Sequence, residues 1–135
     1  MKKILFLALL LAASSSQACK FKTSDTESVR EIVRQHGGYP ISDEACEFLN
    51  KRGLALDVEG DATVLSGMPI AWVAVSLTRL GTGVRSDTFR YSTRTGTGAS
   101  QDVAADVFYA GLKDAIGAFD FSKAAGEVDR YLAKK

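Results

Sequence analysis

The apolar residues change their repeat twice along the chain, and this limits the fold more than any other feature. Up to about residue 53 they recur at helical spacing, from 54 to 95 they alternate or run on, and from about 100 the helical spacing returns. A strand-rich middle between helical ends is an α+β arrangement. Three short connections within that middle make its strands sequential antiparallel neighbours, a meander. At 135 residues, with 46% hydrophobic and 24% charged side chains, the chain has material for one core and not for two.

Ser24-Asp25-Thr26-Glu27 has the order of a capping box, Val29, Ile32 and Val33 follow as a helical stripe, and Gly37-Gly38 before Pro40 ends the element near His36. A second helix is predicted after Ser42, with Asp43 and Glu44 at its positive end, Ala45, Cys46, Phe48 and Leu49 inward, and Gly53 as its stop. Leu54, Leu56 and Val58 then alternate as a strand. Glu59-Gly60-Asp61 reads as a hairpin turn, 62–65 as a short strand, and Ser66-Gly67-Met68-Pro69 as a second turn. The Val-rich run 70–80 is the next strand, and Leu80-Gly81-Thr82-Gly83 turns it into a long polar strand, 84–95. Val103, Val107, Phe108, Gly111, Leu112, Ala115, Ile116 and Phe119 mark the longest helix, 100–119, expected to cover one sheet face. A last helix begins after Ser122. The expected architecture is an antiparallel meander of three to four strands between helix pairs, in the order ααββββαα, as one domain spanning 19–135.

The start of the chain predicts export. Met1-Lys2-Lys3 is positive, 4–13 is an unbroken apolar run, and small residues stand at the −3 and −1 positions of a cut after Ala18. Ten residues at 1.5 Å each cannot cross about 30 Å of hydrocarbon, so 1–18 reads as a cleaved secretory signal and no membrane span is expected. Cleavage removes Lys2 and Lys3 and leaves 15 basic against 16 acidic side chains. Both cysteines stay in the exported part, and in an oxidising compartment, the periplasm or outside the cell, they pair as Cys19–Cys46. The rival reading makes Cys19 a lipidated N-terminus. It needs a Leu at −3, where this chain has Ser16, and it strands Cys46 as an odd thiol.

Candidate chemistry is thin. A near-neutral charge argues against a nucleic-acid partner, and one His with two Cys excludes a zinc cluster. His36, the only imidazole, stands at a helix end, where its cation complements the dipole. No serine elbow accompanies it. Asp43, Glu44 and Glu47 crowd a helix start, and Asp57, Glu59 and Asp61 a turn, without the remaining positions of a calcium loop. Gly81-Thr82-Gly83 and Gly96-Thr97-Gly98 lack the third glycine or the Gly-Lys-Ser/Thr ending of nucleotide loops. No catalytic set, metal or cofactor is expected.

The polar strand supplies the candidate interface. Its odd positions include Phe89 and Tyr91, expected in the core; its even positions, with Arg90 and Arg94, form a polar row. On the neighbouring strand Val73, Val75 and Leu77 face the core and leave Trp72 on the other side. Trp72, Arg79, Arg85, Arg90 and Arg94 are therefore the predicted partner-binding residues, Trp and Arg being the side chains most enriched among interface anchors. The local excess of arginine points to a protein partner with an acidic surface. The expected function is a small exported binding protein without catalysis, such as an inhibitor or immunity protein against an envelope-targeting enzyme. Alternatives are an envelope assembly or ligand-binding component, lipid-anchored through Cys19, and a small hydrolase using His36 or a carboxylate pair.

Overall fold

The computed structural model describes residues 19–134, so the predicted signal segment, 1–18, lies outside the described residues. At the centre is a hairpin of β2 (Ala55–Leu65) and β3 (Met68–Arg79), paired antiparallel from Ala55↔Thr78 to Leu65↔Met68. The two residues between them, Ser66 and Gly67, have φ of 50° and 79°. Positive φ at both central positions gives a turn whose twist matches that of the flanking strands, and glycine adopts it without strain.

The turn expected at Glu59-Gly60-Asp61 does not form, because β2 runs straight through it. Gly60 serves a close approach instead. A Cβ there would collide with Trp72 O and stand 2.5 Å from Phe108 Cε2. The missing side chain is what allows the Phe108 ring of α3 (Gln101–Gly117) to lie on the sheet.

The expected strand 84–95 is cut in two. β4 (Val84–Arg85) pairs with Arg79 and Thr78, and β5 (Arg90–Thr95) pairs with the β3 stretch from Val75 back to Ile70. Residues 86–89 between them face only Ser76 and Leu77, so the segment bulges. Ser86 Oγ accepts from Leu77 N at 3.0 Å and donates to Thr88 O at 2.7 Å. Thr88 N and Oγ1 both donate to Glu127 on α4 (Phe121–Ala133), at 2.7 and 2.8 Å. The Thr88 N–H above all, helped by its hydroxyl, holds the Glu127 carboxyl below the usual carboxylate range, with desolvation opposing.

The sheet is mixed rather than wholly antiparallel. A short strand unforeseen in the sequence, β1 (Lys22–Asp25), pairs parallel to β2. Ser24 consequently lies within β1, and α1 (Glu27–Gln35) is capped by Thr26, whose Oγ1 accepts from Val29 N at 3.3 Å. α2 (Asp43–Arg52) begins at Ser42 as predicted, with Ser42 Oγ accepting from Ala45 N at 3.1 Å, and stops at Gly53. The Cys19–Cys46 disulfide, with 6.2 Å between Cα atoms, ties the start of the described chain to α2. Ser100 caps α3 and Asp120, not Ser122, caps α4.

The core draws its strand residues from one side of the sheet. Leu56, Val58, Val73, Val75 and Leu77 pack with Phe108 and Leu112 of α3, Val29 of α1, Leu49 of α2 and Val128 of α4. Full burial of each such side chain contributes roughly 1.5–3 kcal/mol. All four helices therefore share one face, and among the described residues no helix is long and apolar enough to cross a membrane.

Candidate functional site: the open sheet face

Residues directly opposite in a ladder point to the same side, so the register assigns every strand residue to a face. Ser92 stands opposite Val73, Arg90 opposite Val75 and Arg94 opposite Ala71, which puts all three on the helix side. A Cβ on Gly111 of α3 would stand 3.3 Å from Ser92 Oγ and 3.6 Å from Arg94 Cδ. Only a small side chain fits there. Tyr91 pairs with Ala74 and so points the other way, beside Trp72. The expected row of Trp72 with Arg90 and Arg94 is thus split between two faces, and the expected inward Phe89 and Tyr91 are 64% and 54% exposed.

The arginines are occupied within the chain. Arg79 donates to Arg52 O at 2.9 Å and lies 3.7 Å from Asp129, joining the end of α2 to α4. Arg85 bridges Asp57 at 3.0 Å and Glu59 at 2.7 Å. Arg90 donates to Ala118 O at 3.1 Å, supplying a cation to the C-terminal end of α3, whose last turn has no basic residue. Arg94 pairs with Asp114 of α3.

His36 is a clip between helices. One ring nitrogen meets Ile32 O and the other Asp106 of α3, both at 2.8 Å, and the ring stacks on Tyr109 at 4.6 Å. The Ile32 carbonyl first, then Asp106, raise its pKa, with partial burial opposing. A second cross-link holds the end of β1. Arg30 donates to Asp25 Oδ1 at 3.0 and 2.7 Å, and Tyr39 OH donates to its Oδ2. Burial first, and then Asp25, push the Tyr39 phenol far above its ordinary value.

What remains without a partner is the sheet's other face. Trp72, 37% exposed, stacks on Tyr91 at 6.1 Å between centroids. Leu65 and Met68 extend the apolar surface toward the hairpin turn, and Phe89 stands at its rim. No family model, curated protein or solved structure matches this chain.

Across the open face the residues form rows. Asp61 lies opposite Trp72, which lies opposite Thr93; Glu59 lies opposite Ala74, which lies opposite Tyr91. Asp57 follows opposite Ser76, which donates to it at 3.0 Å. The acids 57, 59 and 61 thus form a column along β2, and Arg85 engages the first two. Among the described residues no three His, Cys, Asp or Glu side chains gather as a metal ion would require.

On the helix side is an apolar cleft of about 460 Å³ between the start of α2 and the α3–α4 connection, lined by Ile41, Phe48, Ile116, Phe119 and Phe121. Phe119 and Phe121 meet edge to face at 5.0 Å. The outward position of Trp72 was legible from its three valine and leucine neighbours. The pairing of Trp72 with Tyr91 was not, because an aromatic residue in a polar strand reads as core-facing, while the ladder puts Tyr91 on the face opposite the core.

Proposed function

We propose that the protein is a small exported binding protein without catalysis, acting by protein–protein contact through the open face of its sheet, as an inhibitor or immunity protein against an envelope-targeting enzyme would. One observation carries this reading: an aromatic pair, Trp72 and Tyr91, stacked and exposed on a sheet face that also exposes the large apolar side chains of Leu65, Met68 and the rim residue Phe89. Exposed apolar surface gathered on one face, rather than scattered, marks interaction sites. Trp and Tyr are also the anchors most enriched at interfaces. The disulfide fits an oxidising compartment, the periplasm or outside the cell. The arginines of the predicted interface contribute less to this reading, since each guanidinium has an acceptor in its own chain.

The experiment is affinity capture from an envelope extract with the oxidised protein, followed by binding measurements on whatever single protein is retained. Trp72→Ala with Tyr91→Ala should weaken binding by about 2 kcal/mol or more. Arg90→Ala with Arg94→Ala should leave it unchanged. The opposite pattern would move the interface to the helix side of β5.

A second reading has its own observation. The 460 Å³ cleft lies in the size range of small-ligand sites and is lined mainly by apolar side chains. An envelope component that binds a small apolar ligand would use it, and Phe48→Ala should then abolish binding that Trp72→Ala leaves intact.

A further inference from the structure

We infer that the open face recognises a basic partner, through an arginine side chain laid on the Trp72 indole and paired with Asp61. This rests on the sheet-face reading and names the chemistry of the partner, which is opposite in sign to the one the arginine-rich stretch suggests.

The charges of the face decide it. Asp57 and Glu59 share Arg85, but among the described residues no cation pairs with Asp61. One Asp61 oxygen accepts from Ala62 N at 2.9 Å, and among the described residues the other has no hydrogen-bond partner. Asp61 is exposed and stands directly opposite Trp72, where cross-strand Cβ atoms are about 5 Å apart. An indole face beside a carboxylate presents both things a guanidinium seeks, a π-surface to stack on and an acceptor for its forked N–H groups. Lysine offers only a point charge and stacks poorly, so arginine is favoured.

The rest of the surface agrees. Ala74, the smallest side chain in its row, leaves a hollow of about 200 Å³ beside Glu59, bounded also by Phe89 and Arg85. A neighbouring side chain of the partner can enter there. A second copy of this chain fits less well. The cations the sheet offers on this face, Arg85 and Lys22, stand at the far end of β2, beside Asp57 and Ala55, and the rows around Trp72 carry no cation.

Trp72 is the only tryptophan in the chain, so its fluorescence reports this site and no other. The probes are acetylated tetra-arginine amide, its tetra-citrulline counterpart of the same shape without charge, and tetra-lysine. Tetra-arginine should perturb the Trp72 emission and the backbone amides of Asp61, Trp72 and Tyr91, binding about tenfold more tightly than tetra-lysine and far more tightly than tetra-citrulline. Asp61→Asn should weaken tetra-arginine about tenfold while the protein stays folded, since the residue is exposed. Equal binding of the arginine and lysine probes, binding indifferent to Asp61→Asn, or no perturbation at Trp72 would overturn the inference. The two readings fail differently. A captured protein lost with Trp72→Ala but retained by Asp61→Asn refutes the arginine and keeps the face. Retention by both variants refutes the face itself.

Discussion

Replacing Gly60 with alanine is the sharpest test of the fold. The added methyl collides with Trp72 O and comes within 2.5 Å of Phe108 Cε2. Neither neighbour can yield cheaply, because the carbonyl belongs to the β3 backbone in the central hairpin and the Phe108 ring is wholly buried. Overpacking of this kind costs about 1–3 kcal/mol, and the loss of a freely rotating glycine from the unfolded chain returns about 0.5 kcal/mol. The net cost should be about 1.5 kcal/mol, a fall of roughly 6–8 °C in Tm for a domain of this size. Urea unfolding of the oxidised protein followed by circular dichroism measures it. Phe108→Leu removes the ring edge that the methyl meets, so the double variant should be less destabilised than the sum of the singles by about 1 kcal/mol. A Gly60→Ala effect below about 0.5 kcal/mol, or strict additivity with Phe108→Leu, would refute the close approach of Phe108 to Gly60.

Three further outcomes follow from the cross-links. Breaking the Cys19–Cys46 bond by reduction or by Cys46→Ala should cost about 3.5 kcal/mol by loop entropy, and non-reducing mass analysis should show no free thiol and no acyl chain. His36 should titrate above the ordinary value of 6.5 in proton NMR, and Asp106→Asn should lower it. Its contribution to stability is whole below pH 6.5 and is lost as pH rises through the elevated value. Glu127→Gln should weaken the carboxylate that Thr88 N and Oγ1 bind, so hydrogen exchange at Thr88 should accelerate ahead of that at Val73 or Val75.

How much the sequence disclosed depended on whether a feature was local. α2 was legible at both ends because Ser42, the Cys46 and Leu49 stripe and Gly53 all lie within one short segment. The turn at Ser66-Gly67 was legible for the same reason, although Met68 and Pro69, expected within it, already belong to β3. Gly60 was misread because a glycine between two acids looks like a turn, and what it accommodates is Phe108, far along the chain. β1 had no signal at all: Lys-Thr-Ser-Asp neither alternates nor is apolar, and it becomes a strand by pairing with β2 beside the disulfide. The candidate site was half visible. Trp72 outward followed from Val73, Val75 and Leu77, but the aromatic character of Phe89 and Tyr91 points to a core face, whereas the pairings Thr78↔Arg85 and Ala74↔Tyr91 put Tyr91 on the open face and Arg90 and Arg94 on the helix side.

The central hairpin also sets an order of events. Its pairs close outward from Leu65↔Met68 to Ala55↔Thr78, each needing little more loop than the last, whereas every β1–β2 pair joins residues 33 apart. For a chain delivered N-terminus first, Cys19 and Cys46 emerge before any of β3 exists. An oxidant can therefore bond them while the sheet is still unmade, and the loop so closed already holds β1 near the place where β2 will form. The last strand to earn its hydrogen bonds is then the first to be leashed.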